Sequence, residues 1–114
     1  MVSGRDTPLP RPTPDLPINE QGRYYHLNCG PGDIAPYVLT CGDPGRARRL
    51  ARHLDRVRVR RRYREFLTVT GEYRSIPVSI MATGIGPDNT AIAVVEAAQC
   101  ASPLTFIRLG SCGA

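Results

Sequence analysis

The chain has 114 residues, of which 41% are hydrophobic, and a formal net charge of +5 at pH 7. This length supports a single domain, and no segment approaches the roughly 20 consecutive apolar residues that a membrane-spanning helix needs. The N-terminus lacks the charged-then-apolar pattern of a secretory signal peptide, so we expect a cytoplasmic protein with no membrane partner.

The four cysteines argue against a disulfide framework and against a zinc site. Cys29, Cys41, Cys100 and Cys112 show no C-x-x-C spacing, and most of them lie in apolar runs. Disulfides are rare in cytoplasmic chains, and a structural zinc site needs closely spaced pairs of ligands. We therefore predict buried thiols and no bound metal.

The basic residues are all arginine, and their clustering raises the question of nucleic-acid binding. Ten of the 15 arginines lie from Arg46 to Arg64, a stretch whose one acid is Asp55 and whose one aromatic residue is Tyr63. Neither a helix-turn-helix pattern nor zinc-finger spacing accompanies them. Because lysine is absent from the whole chain, we interpret the arginines as a compositional bias and expect no nucleic-acid partner.

The chain divides into a tail and a folded part. Residues 1–22 are predicted to form an extended, disordered tail, because proline interrupts both helix and sheet hydrogen bonding. The prolines of this segment are Pro8, Pro10, Pro12, Pro14 and Pro17. Residues 23–114 are predicted to form the folded domain.

The first predicted elements are a strand, a helix and a pair of strands. Tyr37 to Thr40 reads as a strand, and Ala47 to Leu54 has apolar positions at helical spacing, with Pro44 suited to the first turn. Val57 to Val59 and Phe66 to Thr70 alternate like half-buried strands.

The second half of the chain predicts a strand, a helix and a strand. Gly71 to Ser75 connects to Ile76 to Ala82, whose nearly continuous apolar run indicates a central strand. Ala91 to Ala101 is predicted to be a helix capped by Asp88 or Asn89. Thr105 to Leu109 is predicted to be a final strand with an exposed apolar edge. The order indicates an α/β domain with a mixed sheet.

Three glycine-rich segments follow predicted strands: Gly42 to Arg46, Thr83 to Pro87 and Gly110 to Gly113. Ligands of α/β folds bind beyond the carboxyl ends of the strands, so the three segments are expected to converge on one site. Arg46 at a helix start and Arg108 at a strand end supply guanidinium groups, which grip oxyanions well. The sequence therefore predicts a phosphate site.

The residues of this site also carry a family resemblance. The matching segments are His26-Leu27, Gly42 to Arg46, Tyr63 to Phe66, Ala82 to Pro87 with Ala91 to Val94, and Arg108 to Ala114. In this order the chain resembles the nucleoside phosphorylases of the hexameric bacterial type, and within them most of all the N-terminal part of the uridine phosphorylases. The resemblance implies a three-layer α/β/α domain and the phosphorolysis of a nucleoside to free base and pentose 1-phosphate.

The resemblance also implies a role for each matching residue. Gly42 would offer its backbone N–H to phosphate, with Arg46, Ser111 and Arg108 completing the site. Ser111 stands where the family has threonine, and Arg108 is also expected to act in catalysis. Inorganic phosphate is then a co-substrate, and no cofactor is expected.

Two further residues are expected to act across a subunit interface. Arg64 matches an arginine that reaches the neighbouring subunit's phosphate, and His26 matches a histidine that approaches the neighbour's ribose. Thr83 and Gly84 would lie beside ribose and base. A homo-oligomer is therefore expected, with a dimer as its minimal unit.

Other interpretations of the same residues stay open. Arg46 and Arg64 could be solvated members of a basic surface, His26 an ordinary histidine, and the Thr83 loop simple turn chemistry. Family members are more than twice as long, so a truncated enzyme is expected. The alternative is an inactive phosphate-binding or oligomer-assembly fragment. A nucleosidase of the same fold is disfavoured, because arginines that grip phosphate argue against water as the nucleophile.

Overall fold

A five-stranded mixed sheet with one helix on each face forms the protein. The structure is a computed structural model that describes residues 17–110. Its elements in chain order are β1 (Tyr37–Cys41), α1 (Pro44–Ala51), β2 (Asp55–Tyr63), β3 (Phe66–Tyr73), β4 (Ile76–Ala82), α2 (Pro87–Cys100) and β5 (Thr105–Arg108). This order is the predicted one, and the predicted α/β class with a mixed sheet is confirmed.

The sheet places β1 between two parallel neighbours. Its strand order is β2-β3-β4-β1-β5, in which β1 pairs in parallel with β4 and β5, and β3 pairs antiparallel with β2 and β4. Leu39 of β1 lies level with Ile80 of β4 and Ile107 of β5. The carboxyl ends of β1, β4 and β5 consequently lie at the same edge of the sheet.

The alternation of side chains along the strands produces two hydrophobic layers. On the α1 face, the buried side chains are Cys41, Ala47, Ala51, Leu67, Val69, Ile80 and Ala82. On the α2 face, Val38, Phe66 and Met81 of the sheet pack with Ala93 and Ala97 of the helix. The residues that α2 contributes to this layer are small.

The segment before β1 belongs to the α2-face core. Tyr24 forms isolated bridges with Ile18 and Cys29, while Leu27 and Ile34 are buried in the same cluster. Residues 17–22, which the sequence assigned to the tail, are therefore part of an ordered turn. The predicted disorder of residues 1–16 lies outside the described residues.

Helix α1 is shorter than predicted. It ends at Ala51, and the following amides of Arg52, His53 and Leu54 bond to carbonyls three residues earlier. This tightened turn still brings Leu54 against the α1-face cluster, which explains its helical spacing in the sequence.

The strands β2 and β3 are longer than predicted. β2 includes the arginine run, because alternate side chains of this edge strand point into water. β3 continues through the predicted connection, and the turn shortens to Arg74 and Ser75. Their φ values of 50° and 69° are those of a two-residue hairpin turn.

Helix α2 begins at Pro87, four residues before the predicted start. Gly86 is its N-cap residue and provides no side-chain hydrogen bond, so neither Asp88 nor Asn89 is the cap. No helix within residues 17–110 is long and apolar enough to cross a membrane. The described residues also contain no group of three or more potential metal ligands.

Gly71 of β3 allows a bulge in β2 where the two strands pair. The pairing register shifts between Asp55 and Val59, so β2 bulges over this glycine. A Cβ atom at Gly71 would lie 2.9 Å from the Asp55 carbonyl oxygen and 3.2 Å from the Val57 Cα. Both neighbours are backbone atoms, so the bulge has to move to make room.

We predict that Gly71→Ala destabilises the fold. Overpacking against backbone costs about 1–3 kcal/mol, measurable as a lower urea midpoint in circular dichroism. Gly30→Ala is the control, since a Cβ there meets its nearest atoms at an ordinary 3.7 Å. Equal midpoints for the two variants would contradict the bulge as a packing constraint.

Two buried thiols, Cys29 and Cys100, make the stability of the fold decrease at alkaline pH. Burial raises the pKa of Cys29 to about 12 from its ordinary value of 9.0, and burial also raises the pKa of Cys100. As the pH rises, these thiols therefore lose their protons at a lower pH in the unfolded chain than in the folded protein. Their contribution to stability is therefore complete below about pH 9 and is lost towards pH 12.

We predict that the free energy of unfolding falls above pH 9, by up to about 1.4 kcal/mol per pH unit for each thiol. Urea titrations from pH 7 to pH 11 measure this slope. Cys29→Ala removes the contribution of one titrating thiol to this slope, whatever the effect of the substitution on stability at pH 7. An unchanged slope in that variant would show that Cys29 does not titrate as its burial requires.

Candidate functional site

The loops after β1, β4 and β5 are joined by hydrogen bonds at the sheet edge. The amides of Thr83 and Gly84 donate to the carbonyls of Cys41 and Gly42, each at 2.9 Å, and the Leu109 amide donates to Thr40 at 2.8 Å. The parallel ladder therefore continues beyond the strand ends. This brings together the described parts of the three glycine-rich segments that the sequence singled out.

Gly42 and Gly84 have to be glycine for these loops to touch. A Cβ on Gly42 would lie 3.2 Å from the Gly84 carbonyl oxygen. Gly84 has a φ of +76°, and a Cβ there would lie 2.7 Å from Cγ of Glu65. The backbone of both loops is thereby open to a ligand from the remaining side, and no acceptor within residues 17–110 takes the Gly42 N–H.

The start of α1 differs from the open anion site that the sequence predicted. Asp43 is the N-cap, and its carboxylate accepts a hydrogen bond from the Gly45 amide at 3.0 Å. One of the amides expected to face phosphate is therefore occupied by a side chain of the protein. What remains for an anion at this position is the Gly42 N–H and the guanidinium of Arg46 in the first turn.

Arg46 and Arg108 both lie at the carboxyl end of β1. Arg46 lies in the first turn of α1, which directly follows β1, and Arg108 of β5 lies level with Thr40 of β1. Burial raises the pKa of Cys41, and the positive charges of Arg46, Arg108 and Arg49 oppose this rise. The structure thus places the two arginines predicted to hold phosphate at the same end of β1, while Ser111 lies outside the described residues.

Two open clefts flank the Gly84 loop. One, of about 500 Å³, is lined by Gly42, Asp43, Pro44, Glu65, Gly84, Ile85 and Asn89. The other, of about 630 Å³, is lined by Arg108 with Gly86, Pro87, Thr90, Ala91 and Val94 of the α2 start. Arg108 thus stands beside the uncapped N-terminus of α2, where the helix dipole also favours negative charge.

Thr83 lies beneath this loop. Its side chain is fully buried, and its hydroxyl donates to the Gly84 carbonyl at 3.2 Å. Of the two residues predicted beside ribose and base, Gly84 lines a cleft and Thr83 is buried.

A contact between Glu65 and Asn89 holds the loop, and sequence reasoning assigned no role to it. The Asn89 side-chain amide donates to the Glu65 carboxylate at 2.9 Å and to the Ile85 carbonyl at 3.3 Å. Glu65 belongs to the β2–β3 turn, next to Arg64. The turn that carries Arg64 is therefore tied to the glycine loop of the same chain.

Arg64 and His26 share a surface. Arg64 has a backbone φ of 54°. Its guanidinium lies over the Tyr63 ring, 5.2 Å from the ring centroid. The Tyr63 hydroxyl lies 3.0 Å from that of Tyr25, whose ring meets His26 edge-on at 5.1 Å. The described contacts of Arg64 and His26 do not include Gly42, Arg46 or Arg108.

The two tyrosine hydroxyls polarise one another. Their hydrogen bond raises the pKa of Tyr25 and lowers the pKa of Tyr63, and the charge of Arg64 further lowers the latter. Either hydroxyl can be the donor of this hydrogen bond. The cluster therefore presents a cation and two oriented hydroxyls at the surface.

Glu96 also had no role predicted from the sequence. It is buried on α2 and lies 2.6 Å from Nδ1 of His26. A single carboxylate inside the apolar run Ala91 to Ala101 was the signal in the sequence, because an unpaired buried charge is costly.

Comparison with known proteins agrees with this arrangement. The family model described as Phosphorylase superfamily matches residues 36–114. The uridine phosphorylase of Thermococcus kodakarensis is 46% identical over 100 residues, which are 88% of this chain and 36% of that protein. The purine nucleoside phosphorylase DeoD-type 1 of Shewanella oneidensis is 39% identical over 90 residues, which are 78% of this chain and 38% of that protein.

Solved structures show the same likeness. A nucleoside phosphorylase of Trypanosoma brucei, described as showing uridine phosphorylase activity, superposes with a TM-score of 0.77 at 31% identity, over 86% of this chain and 39% of that one. A uridine phosphorylase of Phytophthora capsici gives 0.79 at 34% identity, over 86% and 34%. The chain spans just over a third of the length of these relatives. It belongs to the Phosphorylase superfamily, and its resemblance to the nucleoside phosphorylases is confirmed.

Proposed function

We propose that the protein provides the phosphate-holding part of a nucleoside phosphorylase, which converts a nucleoside and inorganic phosphate into free base and pentose 1-phosphate. The observation that carries this proposal is the position of Arg46 and Arg108 at the end of β1, beside the touching loops of Gly42 and Gly84. The family membership of the chain supports the same reaction.

The chemistry requires a nucleophile held close to C1′ of the pentose. As the bond to the base breaks, that carbon becomes positively charged, and an adjacent phosphate oxygen both stabilises the charge and forms the new bond. Arginine suits this task because it holds an oxyanion by paired hydrogen bonds and does not take part in its protonation. Fixed orientation of phosphate by Arg46, Arg108 and the Gly42 N–H lowers the entropic part of the barrier.

The remaining predicted residues extend the proposal to an oligomer. Arg64 and His26 lie together on one surface, and the described contacts of their side chains include neither Arg46 nor Arg108. This placement supports a role in the site of a neighbouring subunit, as the resemblance implies. The named relatives favour uridine as substrate, with purine nucleosides as the alternative.

A second candidate is a chain that binds phosphate without turnover. It is favoured by the same observation, since the Gly42 N–H and two arginines suffice to bind an anion. Such a chain would keep the anion site and the interface residues. The two candidates differ in turnover and agree in phosphate binding.

We predict that Arg108→Ala and Arg46→Ala each weaken the binding of inorganic phosphate about tenfold, since a charged hydrogen bond at a partly exposed site contributes about 1.5 kcal/mol. Isothermal titration calorimetry measures the dissociation constant. Arg48→Ala is the matched control on α1, where Arg48 is exposed in the same helix. Unchanged affinity in both test variants would sink the assignment of the phosphate site.

We further predict that the protein cleaves uridine faster than inosine or adenosine, and only when phosphate is present. Release of free base is followed by liquid chromatography with phosphate and in its absence. Cleavage without phosphate would indicate a hydrolase and contradict the proposed nucleophile. Phosphate binding without cleavage of any of the three nucleosides would favour the second candidate.

A further inference from the structure

A buried carboxylate is tied to the histidine of the proposed interface. The side chain of Glu96 is 3% exposed, and its oxygens accept hydrogen bonds from the amides of His26 at 3.1 Å and Leu27 at 2.9 Å. It lies near the C-terminus of α2, where the helix dipole disfavours a negative charge. The donors on residues 26 and 27 therefore provide the stabilisation of this charge.

The imidazole of His26 is held in one orientation. Its Nδ1 lies 2.6 Å from the Glu96 carboxylate, and its ring meets the rings of Tyr25 and Phe66 edge-on at 5.1 Å and 6.0 Å. The side chain is 32% exposed, and within residues 17–110 Nδ1 makes the only hydrogen bond of the ring. The Nε2 edge is consequently the part of the ring that a ligand reaches.

A carboxylate only accepts hydrogen bonds, so the proton between it and an imidazole nitrogen belongs to that nitrogen. We propose that Glu96 is a positioning residue that keeps neutral His26 protonated at Nδ1, so that Nε2 is an acceptor for a substrate hydroxyl. Glu96 does not touch the substrate in this role. It selects which of the two ring nitrogens carries the proton.

This role rests on the proposed function, in which His26 faces the ribose 5′-hydroxyl in a neighbouring subunit. An acceptor at that position favours nucleosides whose 5′-oxygen carries a proton. A 5′-O-methyl nucleoside has no proton to donate there, and a nucleotide presents further acceptors. The substrate class is therefore nucleosides with a free 5′-hydroxyl.

The protonation of His26 is measurable without turnover. The chain has two histidines, and His53 is exposed after α1, so it serves as an internal reference. In long-range 1H–15N spectra of the 15N-labelled chain at pH 8, we expect His26 to be protonated at Nδ1. His53→Gln assigns the two sets of signals. A proton on Nε2 of His26, in a neutral or a charged ring, would overturn the proposal.

Glu96→Gln separates positioning from mere anchoring of the backbone. The glutamine carbonyl can still accept the Leu27 amide, while its NH2 group then faces Nδ1 of His26 and donates to it. We expect the His26 proton to move to Nε2 in this variant. If the variant folds and His26 keeps its proton on Nδ1, the role of Glu96 is purely structural.

The kinetic readout is the ratio of kcat/KM for uridine over 5′-O-methyluridine. We expect Glu96→Gln to lower this ratio about tenfold, the worth of one hydrogen bond. Glu72→Gln, on β3 and ion-paired with Arg56 of β2, is the charge-matched control. An unchanged ratio would contradict the acceptor role. Absence of turnover with every nucleoside would contradict the proposed function instead, and the His26 spectrum would still decide the positioning role.

Discussion

The parallel pairing of β1 with β4 and β5 is the constraint on which the candidate site depends. Because Cys41 lies level with Ala82, the residues after both strands are neighbours, and the contact of Gly42 with Gly84 follows directly. The same register delivers Arg108 beside the end of β1. A slip by one residue would exchange the two faces of a strand, burying what now faces solvent. The hydrophobic layers on either side of the sheet therefore also fix the geometry of the Gly42 and Gly84 loops.

The two helix starts at this edge have different electrostatics. Asp43 caps α1 and occupies one of its free amides, whereas Gly86 leaves the first turn of α2 without a side-chain cap. Arg108 borders the uncapped helix, and Arg46 belongs to the capped one. Each helix start also has a carboxylate nearby, from Asp43 at the cap of α1 and from Asp88 in the first turn of α2.

Sequence patterns predicted the elements and the convergence of the glycine loops, because both follow from local periodicity and from the position of turns along the chain. The arginine run of β2 was not recognised as strand, since charged residues fit an edge strand only when the neighbouring strand is known. Asn89 was taken for a helix cap, although its partner is Glu65, 24 residues away. The partner of Glu96 is 70 residues away. Contacts of this kind depend on how α2 packs, which spacing in the sequence does not encode.

The bulge over Gly71 has a consequence for how copies of the chain meet. A bent outer strand lined with arginines cannot lie flat against a second sheet, so the β2 side resists edge-to-edge pairing. At the opposite border of the described sheet, β5 is regular and carries the exposed Ile107, followed by the exposed Leu109. Within residues 17–110, the β2 border is therefore protected against strand addition, and the β5 border lacks this protection.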